Sequence, residues 1–316
     1  MTAALVRRIA AVIPTLVVVA TLAFLMVHGL PGDAAAVMLG PEATPAQIDA
    51  LRAELEADQP IGARFGAWLA DVSRGDLGNS VYHGRPVTAL VGERVLPTLQ
   101  LAVSALLVAV MVGLPAGIWA SRRPGSWTDR GITLLATSAT SIASFFLAMI
   151  LVLVFAVRLE WLPATGAVPL SEDPLAHLRH LVLPALALGL PLAGVPARVV
   201  RASLLDGLDA DHLRAARARG VRPRGLLLRH ELRPSLAPTT AVLGSSFADL
   251  LTGAVIVETV FNLPGMGQLV ATSIGRRDLL VLQGVILFAA VANVLVSLTV
   301  DLVSSLLDPR GDHVRV

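Results

Sequence analysis

Asp249 is the residue whose chemistry is hardest to reconcile with its surroundings, because it lies inside the apolar stretch Leu236–Phe261. A carboxylate at membrane depth costs about 3 kcal/mol on insertion scales, so it requires a partner or a wet cavity. Two partners fit: an arginine of the protein, or a cationic group on a ligand. Hydroxyls recur around it at helical spacing. Ser245, Asp249 and Thr252 share one helix face, as do Thr133, Thr137, Ser138, Thr140, Ser141 and Ser144 in an earlier stretch. Asn293, Ser297, Asp301 and Ser304 do the same in the last one. Polar groups in a bilayer face protein or water, and serine and threonine there also hold helices together. Both readings stand for these stripes. On the first, Ser138, Ser141, Ser245, Asp249 and Asn293 line a polar path.

Bond-breaking chemistry has little to work with. Cysteine is absent, and the 25 basic residues are all arginine. That excludes thiolate sites, a lysine Schiff base and the P-loop, which needs its lysine at the phosphates. If ATP drives this protein, another chain binds it. No HExxH or GxSxG occurs, so no catalytic residue is assigned. His177 and His180 are one helical turn apart, but a lone pair makes a poor metal site. No metal and no cofactor are expected.

The elements that must position these groups are membrane spans. Of 316 residues, 55% are hydrophobic and 15% charged, against about 25% charged in soluble domains. A span needs about 20 mainly apolar residues. Six stretches qualify: Ile9–Leu30, Pro97–Ala120, Gly131–Val157, Leu181–Val200, Leu236–Phe261 and Leu279–Leu307. The fourth is interrupted by Pro184, Gly189, Pro191, Gly194 and Pro196, so it belongs inside a bundle or forms a re-entrant segment. The first is too long for a signal-peptide core and is read as an uncleaved span. Sixteen of the 25 arginines fall on one side if both termini are cytoplasmic, which sets the orientation. The fold expected is therefore all-α, with six transmembrane helices. It divides into residues 1–95 (first span and outer loop), a five-helix core at 96–307 with a cytoplasmic loop at 201–235, and a tail at 308–316. The high sequence pI of 10.2 reflects arginines beside spans, not a nucleic-acid face.

Two loops carry further signals. In the outer one, Thr44-Pro45-Ala46-Gln47 reads as a capping box opening a short helix. Ile61, Phe65, Trp68 and Leu69 form a second apolar face beyond it. The cytoplasmic loop holds a short helix capped by Asp209, with Asp211 in its first turn, Arg217 and Arg219 in its last, and Gly220 beyond. A generic positive loop explains those arginines. Ala210, Ala215, Ala216 and Ala218 add a thin surface that suits a partner's groove.

Four segments in register resemble a known family. Arg214-Ala215-Ala216-Arg217-Ala218-Arg219-Gly220, with Leu232-Arg233 and Pro238, is similar to the "EAA" loop of ABC importer permeases, specifically the peptide/nickel branch. His28-Gly29-Leu30-Pro31-Gly32-Asp33 resembles the branch's N-terminal signature, and Gly75-Asp76-Leu77-Gly78-Asn79-Ser80 its outer-loop signature. Glu258 to Gly267, followed by Arg276-Arg277-Asp278 and Gln283-Gly284, resembles the signature between the last two spans. Arg214 stands where the motif has its glutamate, and Pro234 interrupts the stretch before Pro238.

The resemblance implies a type I importer membrane domain in the bacterial inner membrane. It implies four kinds of neighbour: a second homologous permease, two cytoplasmic ATPase subunits, an external substrate-binding protein and the lipid bilayer, with no nucleic acid. Asp211, Arg214, Ala215, Ala216, Arg217 and Gly220 would then couple to the ATPase, and Glu258, Pro264 and Gly265 would form an outer-gate motif. The solute would be a peptide, a nickel complex or a related small molecule. A stand-alone secondary transporter or channel is the competing class. Against it, the chain shows no inverted pair of interrupted helices and no filter sequence.

Overall fold

The computed structural model describes residues 2–28, 34–40, 43–54, 59–207 and 232–307. Among them the structure is helical throughout, with an isolated bridge at Asn79 and Pro86 and no strand. The helices are α1 (Thr2–His28), α2 (Ala34–Leu39), α3 (Pro45–Glu54), α4 (Ile61–Ser73), α5 (Val87–Ser121) and α6 (Trp127–Ser141). They continue as α7 (Ser144–Leu151, running on as a π-helix over Val152–Arg158), α8 (Pro174–Gly207), α9 (Leu232–Gly253), α10 (Val255–Val260), α11 (Met266–Arg276) and α12 (Leu279–Leu307).

Three helices of the described residues are long and apolar enough to cross a bilayer: Val87–Ser121, Pro174–Asp206 and Leu279–Val300. The third expected span is not a straight rod. Its halves, Trp127–Ser141 and Ser144–Arg158, meet at a bend of 99°. The cause is local. Thr137 Oγ1 donates to Thr133 O (2.9 Å), Thr140 Oγ1 to Thr137 O (2.8 Å) and Ser141 Oγ to Thr137 O (3.3 Å). Such back-bonding competes with the helical ladder. Ile142 and Ala143 then adopt extended backbone, with ψ of 124° and 129°.

The chain forms two compact units, Met1–Thr98 with Pro264–Val294 and Leu99–Leu263 with Leu295–Val316. In the first, Val27, Met38, Val87, Leu90, Leu269 and Val281 make the core. The capping box forms as expected: Thr44 N–H donates to Gln47 Oε1 (2.9 Å) and Gln47 N–H to Thr44 Oγ1 (3.4 Å). The apolar face of α4 is only half used. Phe65 and Trp68 pack on Phe24 at ring-centroid distances of 5.2 and 5.5 Å, whereas Ile61 and Leu69 remain exposed.

The second unit is built on α8. The helix is continuous despite containing Pro184, Pro191 and Pro196. Of its most apolar window 61% is buried, against 33% and 28% for the two other long apolar helices. The interruptions are what allow this. A Cβ on Gly194 would stand 2.1 Å from the Ala136 carbonyl oxygen of α6. On the α5 side, Cβ atoms at Gly113 and Gly117 would stand 2.5 and 2.4 Å from the carbonyl oxygens of Ala193 and Ala197. Small residues let backbones touch, and contact at that range replaces the hydrophobic drive missing between helices in lipid. On α9, Pro234 falls in the first turn, where a missing N–H costs little.

Candidate functional site

Asp249 opens onto a cleft of about 330 Å³ within the second unit. The bend between α6 and α7 supplies Thr140, Ile142 and Ser144; α8 supplies Leu188, Pro191, Leu192 and Val195; α9 supplies Ser246, Asp249 and Leu250. The 99° break makes one wall, because it turns α7 away just where a straight helix would carry the next turn.

The lining brings Asp249 together with Thr140, Ser144 and Ser246. Ser138, Ser141 and Ser245 are exposed and outside the lining. Ser141 and Ser245 spend their hydroxyls on carbonyls of their own helices, Ser245 donating to Val242 O at 2.9 Å. Asn293 is exposed on α12, in the first unit. Asp211, Arg214, Ala215, Ala216, Arg217 and Gly220 lie outside the described residues. Ser246 escaped the reading of the stripes because it stands one position off the Ser245–Asp249 line. The clue was on α8, whose prolines and glycines mark the helix that neighbours approach.

Beside this cleft α6 and α8 are bound by charge. Arg201 donates from Nε to Asp129 Oδ1 (2.5 Å) and from Nη2 to Oδ2 (2.8 Å). Gly125 N–H adds a 2.9 Å bond to Oδ2. Asp129 is 3% exposed and precedes the apolar span that begins at Gly131. The Arg201 guanidinium, helped by Gly125 N–H against the cost of burial, holds the Asp129 carboxyl down to about 2. One turn back along α8, Arg198 donates to Ala136 O (3.1 Å) and Thr140 Oγ1 (3.4 Å).

The outer-loop signature and the end of the last one assemble around a second carboxylate, in the first unit. Asp278 is buried and accepts from Ser80 Oγ (2.5 Å), Tyr82 N–H (3.3 Å) and Val281 N–H (3.4 Å). Arg276 lies over the Tyr82 ring at 4.6 Å. The turn leading to Ser80 needs Gly78, whose φ is +78°, and Asp76 steadies it by accepting from Gly78 N–H at 2.9 Å. Asp278 was legible as part of a motif but not as its centre. Glu258 is buried on α10, where its carbonyl accepts from Leu263 N–H at 2.8 Å. Beyond it the chain reverses through Asn262, with φ of +51°. Pro264 is half-buried, and Gly265 is the buried N-cap of α11. His177 and His180 lie in the opening turns of α8, their Nδ1 atoms 2.7 Å from Val168 O and 2.8 Å from Ala176 O.

Known proteins are similar to this chain over nearly its whole length. The family described as "binding-protein-dependent transport system inner membrane component" matches residues 113–312, and its N-terminal companion matches residues 1–102. A protein of Brucella abortus (strain 2308) named for a peptide transport system permease is 38% identical over 98% of this chain and 99% of its own length. The glutathione transport system permease protein GsiC of Escherichia coli (strain K12) is 39% identical over 96% and 97%. Among solved structures, an inward-facing MetNI methionine ABC transporter aligns with a TM-score of 0.56 and 19% identity. That alignment covers 69% of this chain and 96% of the other, and at such identity it speaks for the fold alone.

Proposed function

Because the chain belongs to the family of binding-protein-dependent transport system inner membrane components, we propose that it is the permease subunit of an ATP-driven ABC importer. It forms one half of a solute pathway in the bacterial cytoplasmic membrane, crossing six times with both termini inside. The other half is a second, homologous permease. An external binding protein delivers the solute, and two cytoplasmic ATPases supply the work. The names of the relatives, peptide and glutathione transport, support a short peptide or related small molecule as the solute, with a nickel complex as a further candidate.

The observation that carries this reading is the cleft at Asp249. It joins a carboxylate and three hydroxyls to apolar walls on helices of a membrane domain. Nothing in it is arranged as nucleophile, base and oxyanion donors would be, and its role is to pass a solute on. The work arrives through the loop following α8. There the segment Asp211–Gly220, a short helix by its sequence alone, docks in a cleft of the ATPase, Ala215 and Ala216 giving close approach and Gly220 the sharp exit. Arginines flanking that segment pair with acids on the ATPase rim, and Glu258, Pro264 and Gly265 serve an outer gate.

Purification of the tagged chain in mild detergent tests the reading. An ATPase and a homologous permease should accompany it, and Ala216→Arg should release the ATPase while leaving the permease pair intact. Recovery of the chain alone, with uptake driven by an ion gradient and indifferent to ATP, would make it a secondary transporter instead.

A further inference from the structure

We infer that the cleft at Asp249 is a subsite for a protonated amine carried on an apolar chain, an inference that rests on the permease reading above. Asp249 is the one charged residue among those lining the cleft. Thr140, Ser144 and Ser246 share that lining, and their hydroxyl oxygens accept from N–H donors. An ammonium group brings three donors and no acceptor. A carboxylate that shares its cleft with three hydroxyls matches those donors and repels a ligand that leads with carboxylate or phosphate.

The remaining walls make no hydrogen-bond demand on the chain behind the amine. Leu188 and Leu192 of α8 are apolar, so the cleft reads charge at the leading end and tolerates varied side chains behind it. Its volume, about 330 Å³, lies near the lower bound of small-molecule sites, which run from about 300 to 1,000 Å³. It holds the amino-terminal end of a short chain and not a folded partner. Asp249 is exposed, so a ligand in the cleft can reach its carboxylate. A conducting site has to release what it binds, so weak binding is expected. A free peptide and glutathione both carry such an ammonium, whereas an N-acylated peptide does not. The opposing possibility is that Asp249 serves a protein cation; among the described residues, Arg198 reaches the lining at Thr140.

The chain contains no cysteine, so Val195→Cys, at a half-buried apolar position of the lining, places a unique thiol of this chain in the cleft and leaves its carboxylate and hydroxyls intact. The intact complex, with its ATPases and partner permease in nanodiscs, is treated with a maleimide, and labelling of this chain is followed by mass spectrometry. Leaving out the binding protein removes that protein's own selectivity. The probes are trialanine and N-acetyltrialanine. Trialanine at about ten times its Kd should slow alkylation about tenfold, following the mass-action factor 1 + [L]/Kd. N-acetyltrialanine at the same concentration should have no effect. Protection should vanish in the added Asp249→Asn variant and return with Asp249→Glu, which keeps the charge. Equal protection by both probes, no protection by either, or protection that persists in Asp249→Asn would overturn the subsite. ATP-driven uptake by the unsubstituted complex separates the two claims. Uptake without amine-selective protection removes the subsite alone, whereas a chain that neither binds ATPases nor uses ATP removes the permease reading as well.

Discussion

Replacing Asp129 by asparagine asks whether α6 and α8 are held together by charge or merely packed. The carboxylate is 3% exposed and takes two bonds from Arg201, at 2.5 and 2.8 Å. Its pKa falls from an ordinary 3.8 to about 2, a difference equivalent to about 2.5 kcal/mol at 1.36 kcal/mol per unit. The Arg201 side chain is 28% exposed, so water tempers the loss below the roughly 3–5 kcal/mol of a fully buried broken pair. Asp129→Asn should therefore cost about 2–3 kcal/mol. A double-mutant cycle with Arg201→Gln, read by denaturant unfolding in detergent, should return an interaction energy of about 2 kcal/mol. The pH dependence has a definite sign. The folded-state pKa is depressed, so the stabilisation is complete above the unfolded value of 3.8 and is lost as pH falls through about 2. The difference in thermal midpoint between the native chain and Asp129→Asn should be constant from about pH 8 to about pH 5 and close between about pH 4 and pH 2. An interaction energy below about 0.5 kcal/mol, the range of exposed pairs, would refute the clamp. So would a difference that widens on acidification.

Gly194→Ala should destabilise the protein by about 2–3 kcal/mol, because a Cβ 2.1 Å from the Ala136 carbonyl oxygen meets backbone that cannot step aside. Gly62→Ala on α4, where a Cβ meets nothing within 4 Å, should be neutral or stabilising by up to about 1 kcal/mol; the same unfolding assay compares them. Asp278→Ala orphans three donors, one of them the buried Ser80 hydroxyl, at a cost of about 2–4 kcal/mol. It should also speed proteolysis of the Gly75–Gly84 segment, while Ser80→Ala, which spares the Tyr82 bond, should do so less. Gly78→Ala, at φ of +78°, should lower stability by about 1 kcal/mol through backbone strain, measured by thermal unfolding.

Features written in local spacing were legible in advance. The Thr44–Gln47 capping box forms bond for bond because it involves only four consecutive residues. Apolar content marked the long helices, and the proline- and glycine-broken stretch was read as interior to a bundle or re-entrant. It is the most buried of the long apolar helices, for a reason the pattern carried: Gly194 and the Gly113 and Gly117 opposite are needed for backbone contact. The bend at Ile142 was not legible. The hydroxyl stripe before it reads equally as a polar path, as helix glue or as back-bonding that ends a helix, and spacing alone does not choose. Nor could spacing pair Asp129 with Arg201 or Ser80 with Asp278, since 72 and 198 residues separate them. Each half of those pairs looks like an ordinary surface charge or hydroxyl until the fold removes its water. In the cleft the helices were anticipated and the faces were not, for a one-residue step rotates a helical side chain by about 100°.

The contacts within the second unit also constrain how its cleft can change shape. Along the α6–α8 seam, Asp129 holds Arg201, Ala136 O accepts from Arg198, and the Ala136 backbone lies against Gly194. These ties span more than one turn of each helix and leave no side chain between the backbones at Gly194, which predicts that α6 and α8 move as one body. Thr140, at the end of α6, moves with them. Ser144 does not have to, because it begins α7 beyond two residues of extended backbone that no helical ladder stiffens. The separation of Thr140 from Ser144, hence the width of the cleft before Asp249, is set at Ile142–Ala143. If the end of α8, where the proposed ATPase loop begins, is displaced, the expected response at the cleft is a rotation about that break, read as a change in the Thr140–Ser144 distance. The proposed amine site would then change shape between α7 and the α6–α8 pair, while Asp249 and Ser246, on the single helix α9, keep their spacing.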